Sequence, residues 1–353
     1  MKSYRFLFLL SLLFISCSKG TNESEALDPS AFRNTTVLKG EILPEPIMIK
    51  SEAGVFFYTK RGLLCTTSLE DPMYILIDNE TGKELMSAGR HGKGPGEFIT
   101  PLHARYDWPS DSFYLNDFAK DSIYSFTITN TSIVQENIME SRKKEYPAVN
   151  GISKITDSTY FFINGGYADK STLNIIDKDW NFYYSEENII LPYDDLDFSK
   201  NYYSSIFQIN RNRNTLLITD THLPYIRVYN INDNQLELRS SRKYLEWRYT
   251  ITKEKWFGLD LKNQKFGYAG LISDNYIYIL NFNMTWAEIL SKKPIKNVFI
   301  LVFDYDCNHI TTLRIDREIR SYEVSPDDRY LYAIIDDTDM HIIRYELPDF
   351  KNP

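Results

Sequence analysis

The chain has 353 residues, of which 43% are hydrophobic, 15% aromatic and 25% charged, with a formal net charge of −8. This supports a large core without disulfides and excludes a disordered chain; with 15 Gly and 14 Pro it also excludes a collagen-like one. The acidic balance repels phosphate backbones and argues against a nucleic-acid partner, while an excess of Tyr and Phe leans towards β structure.

Lys2 and Arg5 head an apolar run from Phe6 to Ile15, broken only by Ser11. Such a run is too short for a bilayer span, which needs about 20 residues, and reads as a secretory signal. It ends in Leu13-Phe14-Ile15-Ser16-Cys17, which resembles a bacterial lipobox, with Phe14 where Leu is usual. The resemblance implies a signal peptide over 1–16, diacylation of Cys17 and attachment to the membrane through that lipid. Ser18 after the Cys fits sorting to the outer membrane, facing the periplasm or the cell surface. Residues 17–35 are polar and read as a flexible tether, with Glu23 and Glu25 similar to the acidic tethers of surface-exposed lipoproteins. A folded domain is expected over 36–353.

Beyond the tether, short apolar or aromatic runs recur after turn clusters. They are GLLCTTS (62–68), DSFYLND (111–117), DSTYFFIN (157–164), NTLLITD (214–220), DNYIYILN (274–281) and DDRYLYAII (327–335), with centres about 47 to 61 residues apart. Most are followed by a second run, such as DSIYSF (121–126), YIRVYNI (225–231) or MHIIRYEL (340–347). Steady strand pairs with few helical patterns indicate an all-β fold, and a period near 50 indicates propeller blades of four strands. Six blades over 36–353 give about 53 residues each, and no seventh run is found. The expected fold is therefore a six-bladed β-propeller of four-stranded antiparallel blades, with TVLKGEILPEPIMIK (36–50) lending a strand to the last blade.

Two stretches carry a family likeness. GRHGKGPGEFITP (89–101) followed by FYLNDFAKDSIYSF (113–126) resembles the NHL-type repeat, with Gly94, Pro95, Gly96, Phe98, Pro101, Asp117 and Ile123 at the family positions and Asn116 and Phe118 replacing smaller residues. SPDDRYLY (325–332) resembles the turn of TolB-like propellers, with Asp328 in the Gly position. With the lipobox, the chain resembles the TolB-like six-bladed propeller lipoproteins of Gram-negative bacteria.

Chemistry-bearing motifs are few. The Gly-rich loop lacks the Lys-Ser/Thr of a Walker loop and the helix of a dinucleotide fingerprint. It reads as an interblade turn in which Gly94 and Gly96 take positive φ. Arg90, His91 and Lys93 would make its rim locally positive, and its backbone N–H groups offer an anion nest. Asp304-x-Asp306-x-Asn308 starts like a calcium loop, but His309 and Ile315 stand where Gly and Glu are needed, so a polar hairpin is expected. Asp194, Asp195 and Asp197 read as a solvated turn. His91, His103, His222, His309 and His341 show no metal-ligand spacing, and neither metal nor cofactor is expected. Cys65 and Cys307 fall in blades one and five and are expected as free thiols. Two long loops, 246–264 and 283–297, hold Trp247, Trp256 and Trp286, candidate platforms for sugars or anchors for a protein.

These readings favour a non-enzymatic, monomeric binding or scaffold module for an envelope protein or an acidic glycan. The alternative is a hydrolase or lyase with its site at the central channel, as in some NHL-like propellers.

Overall fold

In the computed structural model the described residues are 26–33, 35–46, 55–66, 71–140, 149–166, 169–187, 205–220, 223–246, 249–251, 257–259, 262–263, 270–295, 297–319, 321–336 and 340–351. They form six four-stranded antiparallel blades in a closed ring. The inner strands are Val55–Thr59, Pro101–Asp107, Val149–Lys154, Ser205–Asn210, Gly270–Ile272 and Ser321–Val324, for blades 1 to 6 in order. Each lies beside the inner strands of both neighbouring blades, so the ring closes from blade 6 back to blade 1.

The second strands are Gly62–Thr66, Ser112–Asp117, Thr159–Gly166, Thr215–Asp220, Ile277–Asn281 and Tyr330–Asp336. All six expected core runs fall on them. Their continuous apolar character follows from burial on both faces between adjacent blades. In blade 1, Leu63 and Cys65 pack towards Tyr332 and Ile334 of blade 6, while Leu64 packs towards Phe113 and Leu115 of blade 2. The buried hydrophobic residues divide into six clusters, one at each interface between neighbouring blades. Aromatic rings dominate between blades 1 and 2, where Tyr74 meets Phe113 at 4.9 Å and Phe113 stacks on Phe126 at 4.8 Å.

The start of the chain closes the ring. Glu41–Ile42 pairs antiparallel with Met340–Glu346 as the fourth strand of blade 6, as expected of the 36–50 segment. Thr36–Leu38 adds a strand that the sequence did not suggest, parallel to the outer edge of blade 5. Gly40 joins the two. A Cβ there would lie 2.4 Å from the Ile343 side chain, so the crossing needs glycine for space. Upstream, the Leu27 N–H donates to the Tyr244 carbonyl at 3.2 Å, and the Phe32 ring meets Phe299 edge-on at 5.3 Å. The segment read as a tether is thus packed on blades 4 and 5 from Leu27 onward, because its two apolar side chains cover the end of that interface.

Topology gives the disc two distinct faces. Chain enters every blade at one face, called here the entry face, which carries the interblade connections and the loops between second and third strands. The exit face carries the turns after the inner strands and those between third and outer strands. No described helix is long and apolar enough to cross a membrane.

Candidate functional site

The Gly-rich loop 89–100 joins blades 1 and 2 on the entry face. Its chemistry is turned inwards. The carboxylate of Glu97 accepts from the Gly94 N–H at 2.7 Å, so the loop's own side chain takes up the backbone N–H expected for a bound anion. Lys120 donates to the carbonyls of Gly94 at 2.8 Å and Glu97 at 2.6 Å. Asp117, fully buried at the end of a second strand, accepts from the N–H groups of Ile99, Thr100 and Ala119. That is why the repeat ends this strand in Asp: one carboxylate ties the interblade turn to the blade that follows. Phe98 is fully buried against Tyr124 and Phe126. Gly96 has the expected positive φ, at 74°. Gly94 does not; a Cβ there would meet the end of the Glu97 side chain at 2.9 Å, which would have to shift.

Arg90 and His91 form a two-residue strand parallel to Glu97–Phe98, and with Lys93 they are exposed. The His91 N–H is held by Asp71 at 2.6 Å, which places a carboxylate next to the expected positive rim. Trp286 opens a short helix, Trp286–Leu290, with Thr285 and Glu288 forming a capping box. The helix lies in the loop between the second and third strands of blade 5, again on the entry face. The other long loop contains a small hairpin, Tyr249–Ile251 with Phe257–Leu259. Cys17, His222, Trp247, Trp256 and the Asp194–Asp197 turn lie outside the described residues.

Asp304-x-Asp306-x-Asn308 is the turn between the third and outer strands of blade 5. The Asp304 carboxylate accepts from the N–H groups of Asp306 (2.9 Å) and Asn308 (2.8 Å) and from the Asn308 amide (2.9 Å). Asp177-x-Asp179-x-Asn181 repeats the same bonds in blade 3. The motif is a blade-level turn device, with Cys307 and Trp180 in its left-handed position. Among the described residues no group of three metal-ligating side chains occurs. Cys65 and Cys307 are both free and buried, in the interfaces of blades 6/1 and 4/5, and burial pushes each thiol up to about 12.

One recess among the described residues lies at the channel mouth on the exit face, opposite Arg90, His91, Lys93 and Trp286. It has a volume of about 90 Å³. Tyr58 of blade 1 and Tyr106 and Trp108 of blade 2 line one side. Asn210 and Arg211 of blade 4, Asp274 of blade 5 and Glu323 of blade 6 line the rest. In a six-membered ring blades 4 and 5 stand across from 1 and 2, so an aromatic wall faces a polar one. Tyr58 and Trp108 stack at 6.0 Å, and Tyr106 meets Trp108 edge-on at 5.9 Å. The aromatic row continues outwards from Tyr58 to Tyr332 at 5.6 Å and from there to Tyr330 at 6.2 Å.

The polar groups here bind blade to blade. Arg211 donates to Asp107 of blade 2 at 2.8 Å and to Asp157 of blade 3 at 2.9 Å, so one guanidinium joins three blades. Its hydrogen bond holds the Asp157 carboxyl below the usual carboxylate range. Arg61 meets Asp111 at 3.1 Å, and the Tyr106 hydroxyl donates to the same carboxylate. Asn210 donates to the Ser273 carbonyl at 2.8 Å and to Asp274 at 3.0 Å. Burial, and then the field of Asp327, raises the Tyr58 phenol above its ordinary value. Burial and the bond to Asp111 raise Tyr106 much further. Both phenols stay protonated at neutral pH and serve as hydrogen-bonding groups.

The family model for TolB-like 6-blade propeller-like proteins matches residues 64–327. The chain belongs to that family. Among solved structures it is similar to a Bacteroides fragilis protein named for its expected export, at 12% identity and a TM-score of 0.60, covering 93% of this chain and 98% of that one. It is also similar to a member of the DUF4221 family from Bacteroides vulgatus, at 12% identity and a TM-score of 0.56, covering 90% and 99%. At such identities the likeness shows the fold alone. No curated protein matches.

Proposed function

We propose that this TolB-like propeller is a non-enzymatic binding module of the cell envelope, lipid-anchored to the outer membrane through Cys17, which takes an envelope protein or glycan at its exit-face recess. The observation that carries the reading is the commitment of the Arg211 ion-pair cluster beside that recess. Arg211, Asp107 and Asp157 are spent on one another across three blades, and the Tyr58 and Tyr106 phenols are held away from neutral-pH proton exchange. A rigid mouth with an aromatic wall and fixed polar groups suits recognition. The lipobox supports the anchor, and the likeness to a protein named for its expected export is consistent with the address.

Two measurements test this. Cys17→Ala is expected to abolish lipid labelling and to move the protein out of the membrane fraction; unchanged partitioning overturns the anchor. A photo-cross-linking residue at Trp108 is expected to trap an envelope component that the same residue at Leu85, exposed on an outer strand of blade 1, does not trap. Equal trapping from both positions overturns the recess as the binding site.

A further inference from the structure

We infer that the entry face at blade 5 seats on the bilayer that carries the Cys17 lipid, with Leu290 entering the headgroup layer and Lys292 and Lys293 meeting anionic headgroups. The inference rests on the anchor proposed above and adds which face of the disc that anchor turns to the membrane.

The first observation is where the N-terminal segment leaves the disc. The Leu27 N–H donates to the carbonyl of Tyr244, just past the outer strand of blade 4 and so at the entry face. Phe32 meets Phe299, the second residue of the third strand of blade 5 and again at the entry end. Leu27 and Phe32 pack on the blade 4/5 core, so the point of departure is fixed. Cys17 stands ten residues upstream of Leu27. A chain of that length spans at most about 33–36 Å when fully extended. The outer strands of blades 4 and 5 are nine and seven residues long. Turning the exit face to the bilayer would use about 23–30 Å of the reach on running back along that edge. The entry face needs no such detour.

The second observation is the chemistry of the entry-face loop in blade 5. Met284, Ile289 and Ile295 pack on the blade 5/6 core and hold the loop down. The capping box of Thr285 and Glu288 closes the start of its short helix. The N–H groups of Lys292 and Lys293 donate to the carbonyls of Ile289 at 2.9 Å and Glu288 at 3.2 Å. Held in this way, Leu290 is 64% exposed, the most exposed large hydrophobic side chain among the described residues. A single exposed leucine is ordinary, but this one is followed by two exposed lysines on the face from which the anchor departs. Lys293 meets Glu288 at 3.4 Å with both side chains open to solvent, a pairing with which headgroups compete. An apolar side chain beside lysines suits a membrane surface: the one enters the acyl boundary while the others reach the headgroups. Arg90 and Lys93, exposed on the same face across the ring, add to the attraction for an anionic surface. With the entry face down, the exit-face recess opens away from the membrane.

The test uses the full-length lipoprotein with one environment-sensitive fluorophore, placed on Leu290→Cys or on Glu80→Cys. Glu80 is exposed in an exit-face turn of blade 1. With Cys17 acylated and Cys65 and Cys307 buried, only the introduced thiol reacts. Retention of the wild-type melting temperature shows that each variant folds. The proteins are reconstituted into phosphatidylcholine vesicles with and without phosphatidylglycerol, and vesicle flotation is expected to carry both. A nitroxide-headgroup lipid is expected to quench the probe at 290 at least about threefold more strongly than at 80. Adding Lys292→Glu and Lys293→Glu is expected to reduce quenching at 290 about twofold in the phosphatidylglycerol vesicles. Equal quenching at the two positions, or stronger quenching at 80, overturns the inference, and flotation in that event leaves the anchor standing. Unchanged quenching in the lysine variant overturns the headgroup contacts. Absence of the wild type from the floated vesicles overturns the anchor, and this inference falls with it.

Discussion

Asp107 ends the inner strand of blade 2 with its side chain 2% exposed, and Arg211, itself 13% exposed, is its charge partner at 2.8 Å. Removing one member of such a pair leaves an uncompensated buried charge, which costs about 3–5 kcal/mol. Arg211→Ala is therefore expected to destabilise the propeller by about that amount in urea unfolding. Asp157, the third member, is 94% exposed, and water replaces its partner freely. Asp157→Asn is expected to leave the unfolding midpoint unchanged. Equal effects from the two substitutions would show that Arg211 acts through surface attraction instead of through Asp107. Neither residue was legible in the sequence. Arg211 contacts residues 54 and 104 positions away, and no local motif encodes a bond that exists only once three blades close. Trp108 was passed over for a related reason: it sits in a short turn, whereas Trp247, Trp256 and Trp286 drew attention by standing in long loops. A usable signal did exist, since Trp108 and Arg211 stand just ahead of an expected core run and Asp274 opens one, where an inner strand must end at the channel.

At the level of the strand, the second strands and most of the third ones were readable because they are buried on both faces and so appear as unbroken apolar runs. The inner strands were not, polar residues interrupting their apolar ones as in Pro101–Asp107, and the outer ones are largely exposed, as in Phe182–Glu187. The third strand of blade 1, Tyr74–Ile77, also escaped notice, being only four residues long. The N-terminal strands are the element on which ring closure depends. Leu38 is buried, and Leu27, Phe32 and Ile42 are partly buried, against blades 4, 5 and 6. Four such side chains, at about 1.5–3 kcal/mol each when fully buried, contribute roughly 5 kcal/mol. That is comparable with a whole domain's margin of about 5–15 kcal/mol. A chain beginning at residue 26 is expected to melt cooperatively at the full-length temperature. One beginning at Leu43 is expected to lose cooperative melting, as followed by circular dichroism. Identical melting of the two would show that blade 6 closes with three strands and that the N-terminal segment only decorates the edge.

Across the whole disc, the six interface clusters join the blades into one packed ring with two distinct faces. Arg90, His91 and Lys93 stand on the entry face, and Asp274 and Glu323 stand on the exit face. Sites separated by a packed ring and sharing no partner should contribute independently, within about 0.3–0.5 kcal/mol. The entry-face cations are exposed and tempered by Glu97 and Asp71. Their attraction for an acidic polymer is worth only about 1–4 kcal/mol per contact pair and is weakened by salt. An Arg90→Ala/Lys93→Ala double variant is therefore expected to lose retention on polygalacturonate at low salt, where wild type is retained, and to match wild type at high salt. The same variant is expected to leave the yield of the Trp108 cross-link on the exit face unchanged. A change in that cross-link caused by the entry-face substitutions would mean that the ring transmits between its faces, and the description of the blades as one rigid scaffold would have to yield to a coupled one.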